Sequence, residues 1–174
     1  MSELGLIQVY TGNGKGKTTA SLGLALRACG HGFKVAMIQF MKENHEYGEF
    51  KAAHYLPGFK VIQVGRNDFV DLADPEPVDI QLATTGWQLA KDMIDSKEWD
   101  IIILDEINVA MACGLLNTAE IAAFLTAKPR EVEVVLTGRY APEEIIALAH
   151  LVTEMQEVKH PFSKSVEARK GIDY

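Results

Sequence analysis

Residues 11–19 decide the fold of this chain, and they read Thr11-Gly12-Asn13-Gly14-Lys15-Gly16-Lys17-Thr18-Thr19. A short apolar run at 6–10 precedes them, and a segment with apolar residues at helical spacing, 20–29, follows them. Strand, glycine-rich loop and helix, in this order, are the context of a phosphate-binding loop. The glycines let consecutive backbone N–H groups point into one concavity, and the start of the helix adds the positive end of its dipole. The sequence therefore predicts that the chain binds a nucleoside triphosphate, with Lys17 supplying a cation for the phosphates and Thr18 a hydroxyl for Mg²⁺.

The loop departs from the usual pattern G-x-x-x-x-G-K-[ST]. Counting back from Gly16 places Thr11 where the first glycine belongs; the glycine is displaced to Gly12, and Gly14 interrupts the middle of the loop. Lys15 adds a second cation. We therefore expect a loop that bends differently from that of an ordinary ATPase and holds the phosphate chain in another way.

Composition limits the classes of protein to consider. The chain has 174 residues, which favours a single domain, and 48% of them are apolar, enough for a sizeable core. The formal net charge of −7 argues against a protein that grips a nucleic-acid backbone, so we expect no nucleic-acid partner. The lysines of the loop still provide a local basic pocket.

The cysteines and the amino-terminal residues point to the cytoplasm. The two cysteines, Cys29 and Cys113, are far apart and form neither a disulfide framework nor a zinc-binding pattern. The first residues lack a basic segment followed by a long apolar run, and no run approaches the length of a membrane span. We therefore expect a cytoplasmic protein without a membrane partner.

Apolar runs alternate with helix-length segments along the chain. Strands are predicted at 6–10, 34–40, 60–64, 100–105, 132–137 and 151–158, and helices at 18–30, 79–96, 117–127 and 142–150. The polar stretch 41–53 has no clear form, residues 65–77 read as a long loop, and the tail from about 159 to 174 has no clear period. This alternation predicts an α/β fold with a mostly parallel central sheet flanked by helices, and ligands at the carboxyl ends of its strands.

Several polar side chains stand at predicted strand ends. Asp105 and Glu106 end the buried run 101–104, and a carboxylate there is the usual second anchor for Mg²⁺ beside Thr18. Arg139 follows the strand 132–137 and could hold a phosphate or a carboxylate, or form a structural ion pair. His160 follows the last strand and could contact a ligand or pack structurally.

Five segments in this order, 11–19, 103–108, 136–139, 154–162 and 168–174, resemble the CobA/BtuR/CobO-type ATP:corrinoid adenosyltransferases. The resemblance runs nearly end to end. It implies a RecA-like P-loop NTPase fold as one domain over 1–174, commonly forming a homodimer. It implies transfer of the 5′-deoxyadenosyl group of ATP to the Co(I) of a corrinoid, with release of triphosphate, and a reductase of flavoprotein type as a further partner.

The resemblance also assigns roles to residues. ATP, bound in the direction opposite to that in most P-loop proteins, would be held by Gly12, Asn13, Gly14, Lys15, Gly16, Lys17, Thr18, Thr19 and Arg139. Mg²⁺ would be held by Thr18 with Asp105 or Glu106. Lys17 and Phe69 would be the catalytic residues, with Phe69 as an aromatic that faces the lower side of the corrin. The tryptophan that accompanies it in better-known relatives has no counterpart, since Asp71 or a neighbour stands in its place.

Two other classes of function remain open on the residues alone. An ordinary P-loop ATPase or nucleotide kinase would use Glu106 as the general base that activates the attacking water or hydroxyl. A nucleotide-dependent switch would bind without chemistry of its own. The fold cannot separate these classes, but the reaction products can.

Overall fold

The computed structural model describes residues 5–66, 70–161 and 165–174. Its strands are β1 (Ile7–Thr11), β2 (Val35–Phe40), β3 (Phe59–Val64), β4 (Ile101–Asp105), β5 (Glu133–Thr137) and β6 (Leu151–Glu154). Its helices are α1 (Lys17–Gly30), α2 (Gly48–Ala53), α3 (Pro77–Ser96), α4 (Ile107–Ala112), α5 (Thr118–Ala127) and α6 (Glu143–Leu148). The predicted α/β alternation is confirmed, and α3 begins at Pro77, two residues before the predicted start.

The strands form one parallel sheet in the order β3-β2-β4-β5-β1-β6. Strand β5 therefore lies between β1, which leads into the glycine-rich loop, and β4, which ends at Asp105. The register pairs Tyr10 with Thr137 and Leu104 with Leu136, so the carboxyl ends of these three strands are level. This arrangement brings the polar residues that follow each strand to one edge of the sheet, as the sequence predicts.

Both faces of the sheet are covered because alternate residues of its central strands enter two apolar clusters. Ile102 of β4 belongs to a cluster that contains Trp87 of α3, and Ile103 belongs to one that contains Ala25 of α1. Every residue of β2, β4 and β5 is buried, as continuous apolar runs in a parallel sheet require. Over the described ranges, no helix combines the length and the apolar character that crossing a membrane requires.

The structure corrects several boundaries. Helix α4 was not predicted: five of its six residues are buried, so it lacks the polar face that marks an amphipathic helix. The last strand ends at Glu154 rather than at 158, because the chain turns at Met155 to contact the glycine-rich loop. Helix α2 occupies the end of the stretch 41–53, to which the sequence assigned no form.

Candidate functional site

The loop between β1 and α1 has the backbone of an anion-binding site. Gly12 and Gly16 have φ values of 94° and 127°, in the region that favours glycine. Gly16 is the N-cap of α1 and provides no side-chain hydrogen bond to the first turn. The N–H groups of that turn are therefore available to a bound anion, and the helix dipole favours negative charge there.

The unusual glycine pattern of the loop has a structural reason. The N–H of Gly14 donates to the carbonyl of Met155 over 2.7 Å, so the chain after β6 lies directly against the loop. A Cβ atom at Gly12 would lie 2.4 Å from the oxygen of Met155, and one at Gly14 would lie 2.7 Å from the oxygen of Gln156. Side chains at both positions are excluded by this close approach, which explains the displaced glycine and the additional one.

The two lysines of the loop have different partners. The ammonium of Lys17 donates to the carbonyls of Gly12 and Gly14 over 2.8 and 2.7 Å and is largely buried. Burial lowers the pKa of Lys17, and the Arg139 cation acts in the same direction, while Glu106 opposes it. Lys15 instead forms an ion pair with Asp173, near the carboxyl end of the described chain.

Asp105 is fully buried at the end of β4 and accepts four hydrogen bonds. Its Oδ1 accepts from the hydroxyls of Thr18 and Thr137 over 2.8 and 2.7 Å. Its Oδ2 accepts from the Lys42 ammonium over 2.8 Å and from the Gln39 amide over 3.1 Å. Burial alone would raise the pKa of Asp105, but the Lys42 cation and these hydrogen bonds outweigh it and hold the pKa below its ordinary value. Asp105 is therefore an ionised carboxylate, and its hydrogen bonds fix the side chains of Thr18, Thr137, Lys42 and Gln39.

Glu106 has a strained backbone at the start of α4. Its φ of 64° places a non-glycine residue in the left-handed region, a conformation that clusters at functional sites. Its N–H donates to Thr137 Oγ1 over 3.0 Å, and Thr137 in turn donates to Asp105. Burial raises the pKa of Glu106, and the Asp105 carboxylate adds to this effect.

The loop, Glu106 and Arg139 face one open cleft with a volume of about 330 Å³. Its opposite wall comes from the carboxyl-terminal part of the chain. The lining comprises residues 14–19 with Glu106, Arg139, His160, Pro161, Val166, Glu167, Ala168 and Asp173. The structure thus brings together residues 14–19, Glu106 and Arg139, whereas Gly12, Asn13 and Asp105 are not among the residues that line this cleft. Phe69 lies outside the described residues.

The cleft fits Mg²⁺ only together with a phosphate ligand. Among the described residues, no group of three or more His, Cys, Asp or Glu side chains could hold a metal ion. Mg²⁺ is commonly bound by one or two carboxylates with substrate phosphates and water, and Thr18 and Glu106 offer such oxygens in the cleft. Asp105 does not line the cleft, and each of its oxygens already accepts two hydrogen bonds.

Reasoning on the sequence assigned no role to four residues that the structure places beside the predicted site residues: Gln39, Lys42, Thr137 and Asp173. The first three stand at or just after the carboxyl ends of β2 and β5, a position that could have indicated them. Two features of the backbone allow Lys42 to reach Asp105. Met41 has a φ of 57°, and Gly65 has no side chain. A Cβ atom at Gly65 would lie 2.4 Å from the backbone nitrogen of Lys42. No periodicity could have indicated this turn.

Comparisons with known proteins identify the family of this chain. A corrinoid adenosyltransferase of Sinorhizobium sp. is 37% identical over 99% of this chain and 81% of its own length. Corrinoid adenosyltransferase CobA of Salmonella typhimurium is 38% identical over 99% of this chain and 87% of its own length.

The flagellar accessory protein FlaH of Methanocaldococcus jannaschii shares the fold at 17% identity, with a TM-score of 0.55 over 87% of this chain and 71% of its own. A sequence model of the family described as ATP:corrinoid adenosyltransferase BtuR/CobO/CobP matches residues 3–174. With that match and these identities over nearly the full length, the chain belongs to the ATP:corrinoid adenosyltransferase family.

Proposed function

We propose that this enzyme transfers the 5′-deoxyadenosyl group of ATP to the Co(I) of a corrinoid and releases triphosphate. The family match over residues 3–174 is the observation that carries the proposal. The phosphate loop, whose lining residues share a cleft with Glu106 and Arg139, supports it. The alternative of an ATPase or nucleotide kinase with Glu106 as base is not favoured, because the relatives named above are corrinoid adenosyltransferases.

The residues of the cleft suit this reaction. Co(I) supplies the electron pair of the new Co–C5′ bond, and the pair of the breaking C5′–O5′ bond leaves with triphosphate, so no general base is needed. The protein has to align the reactants and stabilise charge on the leaving oxygens. We assign this role to the N–H groups in the first turn of α1, the Lys17 ammonium and the Arg139 guanidinium. Lys17 must exchange its two loop carbonyls for phosphate oxygens when ATP binds.

Mg²⁺ would be held by Thr18 and Glu106 together with phosphate oxygens. Asp105 would orient the Thr18 hydroxyl for the ion by accepting its hydrogen bond. The chemistry that the ion supplies when bound is neutralisation of phosphate charge. The raised pKa of Glu106 fits this assignment, because a cation stabilises the ionised carboxylate that burial disfavours.

Further features are proposed from the resemblance alone. ATP lies in the loop in the direction opposite to that in most P-loop proteins, which brings C5′ rather than the terminal phosphorus to the attacking atom. Phe69 faces the lower side of the corrin. The chain forms one domain, with a tail from about residue 159, and acts in the cytoplasm as a homodimer supplied with electrons by a reductase.

Product analysis tests the proposal directly. The enzyme is incubated with ATP, Mg²⁺ and a corrinoid reduced chemically to Co(I). We expect a light-sensitive Co–C product and inorganic triphosphate in equal amounts. Formation of ADP and phosphate at a rate that does not depend on the corrinoid would overturn the proposal in favour of an ATPase.

A further inference from the structure

The last described segment, residues 165–174, forms a strap across the phosphate loop. Val166, Glu167 and Ala168 line the cleft opposite the loop. The Asp173 carboxylate pairs with the Lys15 ammonium inside the loop, joining parts of the chain 158 residues apart. The strap is therefore attached to the loop that receives the phosphates.

Asp173 also organises the strap internally. One of its oxygens accepts from the N–H of Arg169 over 2.9 Å and from the guanidinium Nε over 3.2 Å. The N–H of Asp173 returns a hydrogen bond to the Arg169 carbonyl over 2.8 Å. The hydrogen bond from Lys15 and those from Arg169 hold the pKa of Asp173 below its ordinary value. The residue is thus an ionised centre of a closed turn.

The far end of the strap reaches α2. The ring of Tyr174 lies 6.0 Å from that of Tyr47, and its carbonyl carbon would be 3.9 Å from a Cβ atom at Gly48. The turn around Asp173 therefore contacts the phosphate loop on one side and the start of α2 on the other. Its attachment on the loop side is the Lys15 pair.

This attachment changes the role expected for Lys15. A lysine inside a phosphate loop would ordinarily add positive charge for phosphate, but the Lys15 charge is matched by Asp173. The cations that line the cleft without such an acidic partner in the described residues are Lys17 and Arg139. Without Lys15, Asp173 would keep Arg169 as its ionic partner but would bring less compensated negative charge to the cleft.

We propose that Lys15 and Asp173 are positioning residues, whose ion pair clamps the strap over bound ATP, and that the Lys15 side chain is not a phosphate ligand. The inference rests on the proposed function, since it takes ATP as the occupant of the cleft. Closing the strap covers the nucleotide with residues 166–168 and limits its escape.

A double-mutant cycle with Lys15→Ala, Asp173→Ala and the double variant tests the clamp. The Kd for MgATP is measured by calorimetry without corrinoid. We expect each single variant to weaken binding about three- to fivefold, the range of a partly exposed ion pair, and the double variant to bind no more weakly than either single one. Lys15→Arg should retain most of the affinity. Lys170→Ala, which removes a strap cation outside the cleft lining, is the matched control and should match the wild type.

Whether Asp173→Ala weakens or tightens MgATP binding shows whether Lys15 holds the strap or binds phosphate. If Lys15 were a phosphate ligand, removing its acidic partner would free the cation and tighten MgATP binding. Tighter or unchanged binding by Asp173→Ala therefore overturns the clamp.

Hydrogen exchange of the nucleotide-free protein tests the clamp independently of ATP. Lys15→Ala should increase exchange of the backbone N–H groups of Ile172 and Asp173, and Lys170→Ala should not. Unchanged exchange in Lys15→Ala would refute the clamp. A wild type that fails to bind MgATP would refute the proposed function instead, with the exchange result still judging the clamp.

Discussion

The hydroxyl of Thr18 donates to the carboxylate of Asp105 over 2.8 Å, although 87 residues separate them in the sequence. Because Thr18 gives its proton to Asp105, its lone pairs remain available toward the cleft. Asp105 cannot turn away, since hydrogen bonds from Thr137, Lys42 and Gln39 fix both of its oxygens. The buried carboxylate thus fixes the direction of a hydroxyl that lines the cleft.

Thr18→Val keeps the shape of the side chain and removes this hydroxyl. We expect MgATP to bind about tenfold or more weakly, as for loss of a hydrogen bond to a charged group, and ATP in EDTA to bind within about twofold of the wild type. Thr18→Ser restores the hydroxyl and should recover most of the affinity for MgATP. Calorimetric titrations with MgATP and with ATP in EDTA test this expectation. An equal loss of affinity in both titrations would show that Thr18 does not act through the metal.

Lys42→Met removes the cation that neutralises buried Asp105. An unpaired buried charge costs about 3–5 kcal/mol, so the free energy of unfolding should fall by an amount of that order. The matched control is Lys51→Met, because Lys51 pairs with Glu46 at the surface, where their side chains are 47% and 78% exposed. That variant should lose less than about 1 kcal/mol. Urea denaturation at pH 7 compares the free energies of unfolding of the two variants. Similar losses of stability in both would contradict the role given to Lys42.

Gly14→Ala introduces a Cβ atom 2.7 Å from the carbonyl oxygen of Gln156. The loop and the chain after β6 must then separate, which breaks the hydrogen bond from Gly14 to Met155. We expect this variant to bind MgATP at least tenfold more weakly, because the N–H groups of the loop lose their common orientation. Gly23→Ala is the control, since Gly23 lies in α1 with no atom within 4 Å of an added Cβ. It should bind normally and gain up to about 1 kcal/mol of stability.

Glu106 gives the metal-free protein a pH-dependent stability. The pKa of Glu106 is raised in the folded protein above its ordinary value of 4.5, so its protonated form stabilises the fold. This contribution is complete below pH 4.5 and is lost as the pH rises through the pKa of the folded protein. Urea unfolding in EDTA should show Glu106→Gln gaining stability relative to the wild type across that window. If the free energies of unfolding of the wild type and Glu106→Gln differed by the same amount at every pH, Glu106 would not be the source of the pH dependence.

The sequence predicted the architecture because its signals are local. The apolar run 101–104 indicates a strand buried on both faces, and the glycine-rich loop indicates the junction of β1 and α1. The carboxylates of Asp105 and Glu106 could be assigned to the ligand-binding edge, since every parallel strand ends there.

What could not be predicted depends on contacts between distant residues. Periodicity does not say which strands are neighbours, so the position of β5 between β1 and β4, and with it the bond from Thr137 to Asp105, was not accessible. Helix α4 was missed because its buried residues show no polar face. The pairing of Lys15 with Asp173 belongs to a tail without any period, where only the three-dimensional structure identifies partners.

The contact between Gly14 and Met155 also sets an order of events during translation. The ribosome releases the chain from its amino end, so the glycine-rich loop emerges long before the carbonyl that shapes it. A nascent chain that has not reached residue 155 carries the nucleotide-binding motif without its support. We therefore expect chains that end before Met155 to bind nucleotide more weakly than the finished chain, because they lack the hydrogen bond that this residue accepts from Gly14.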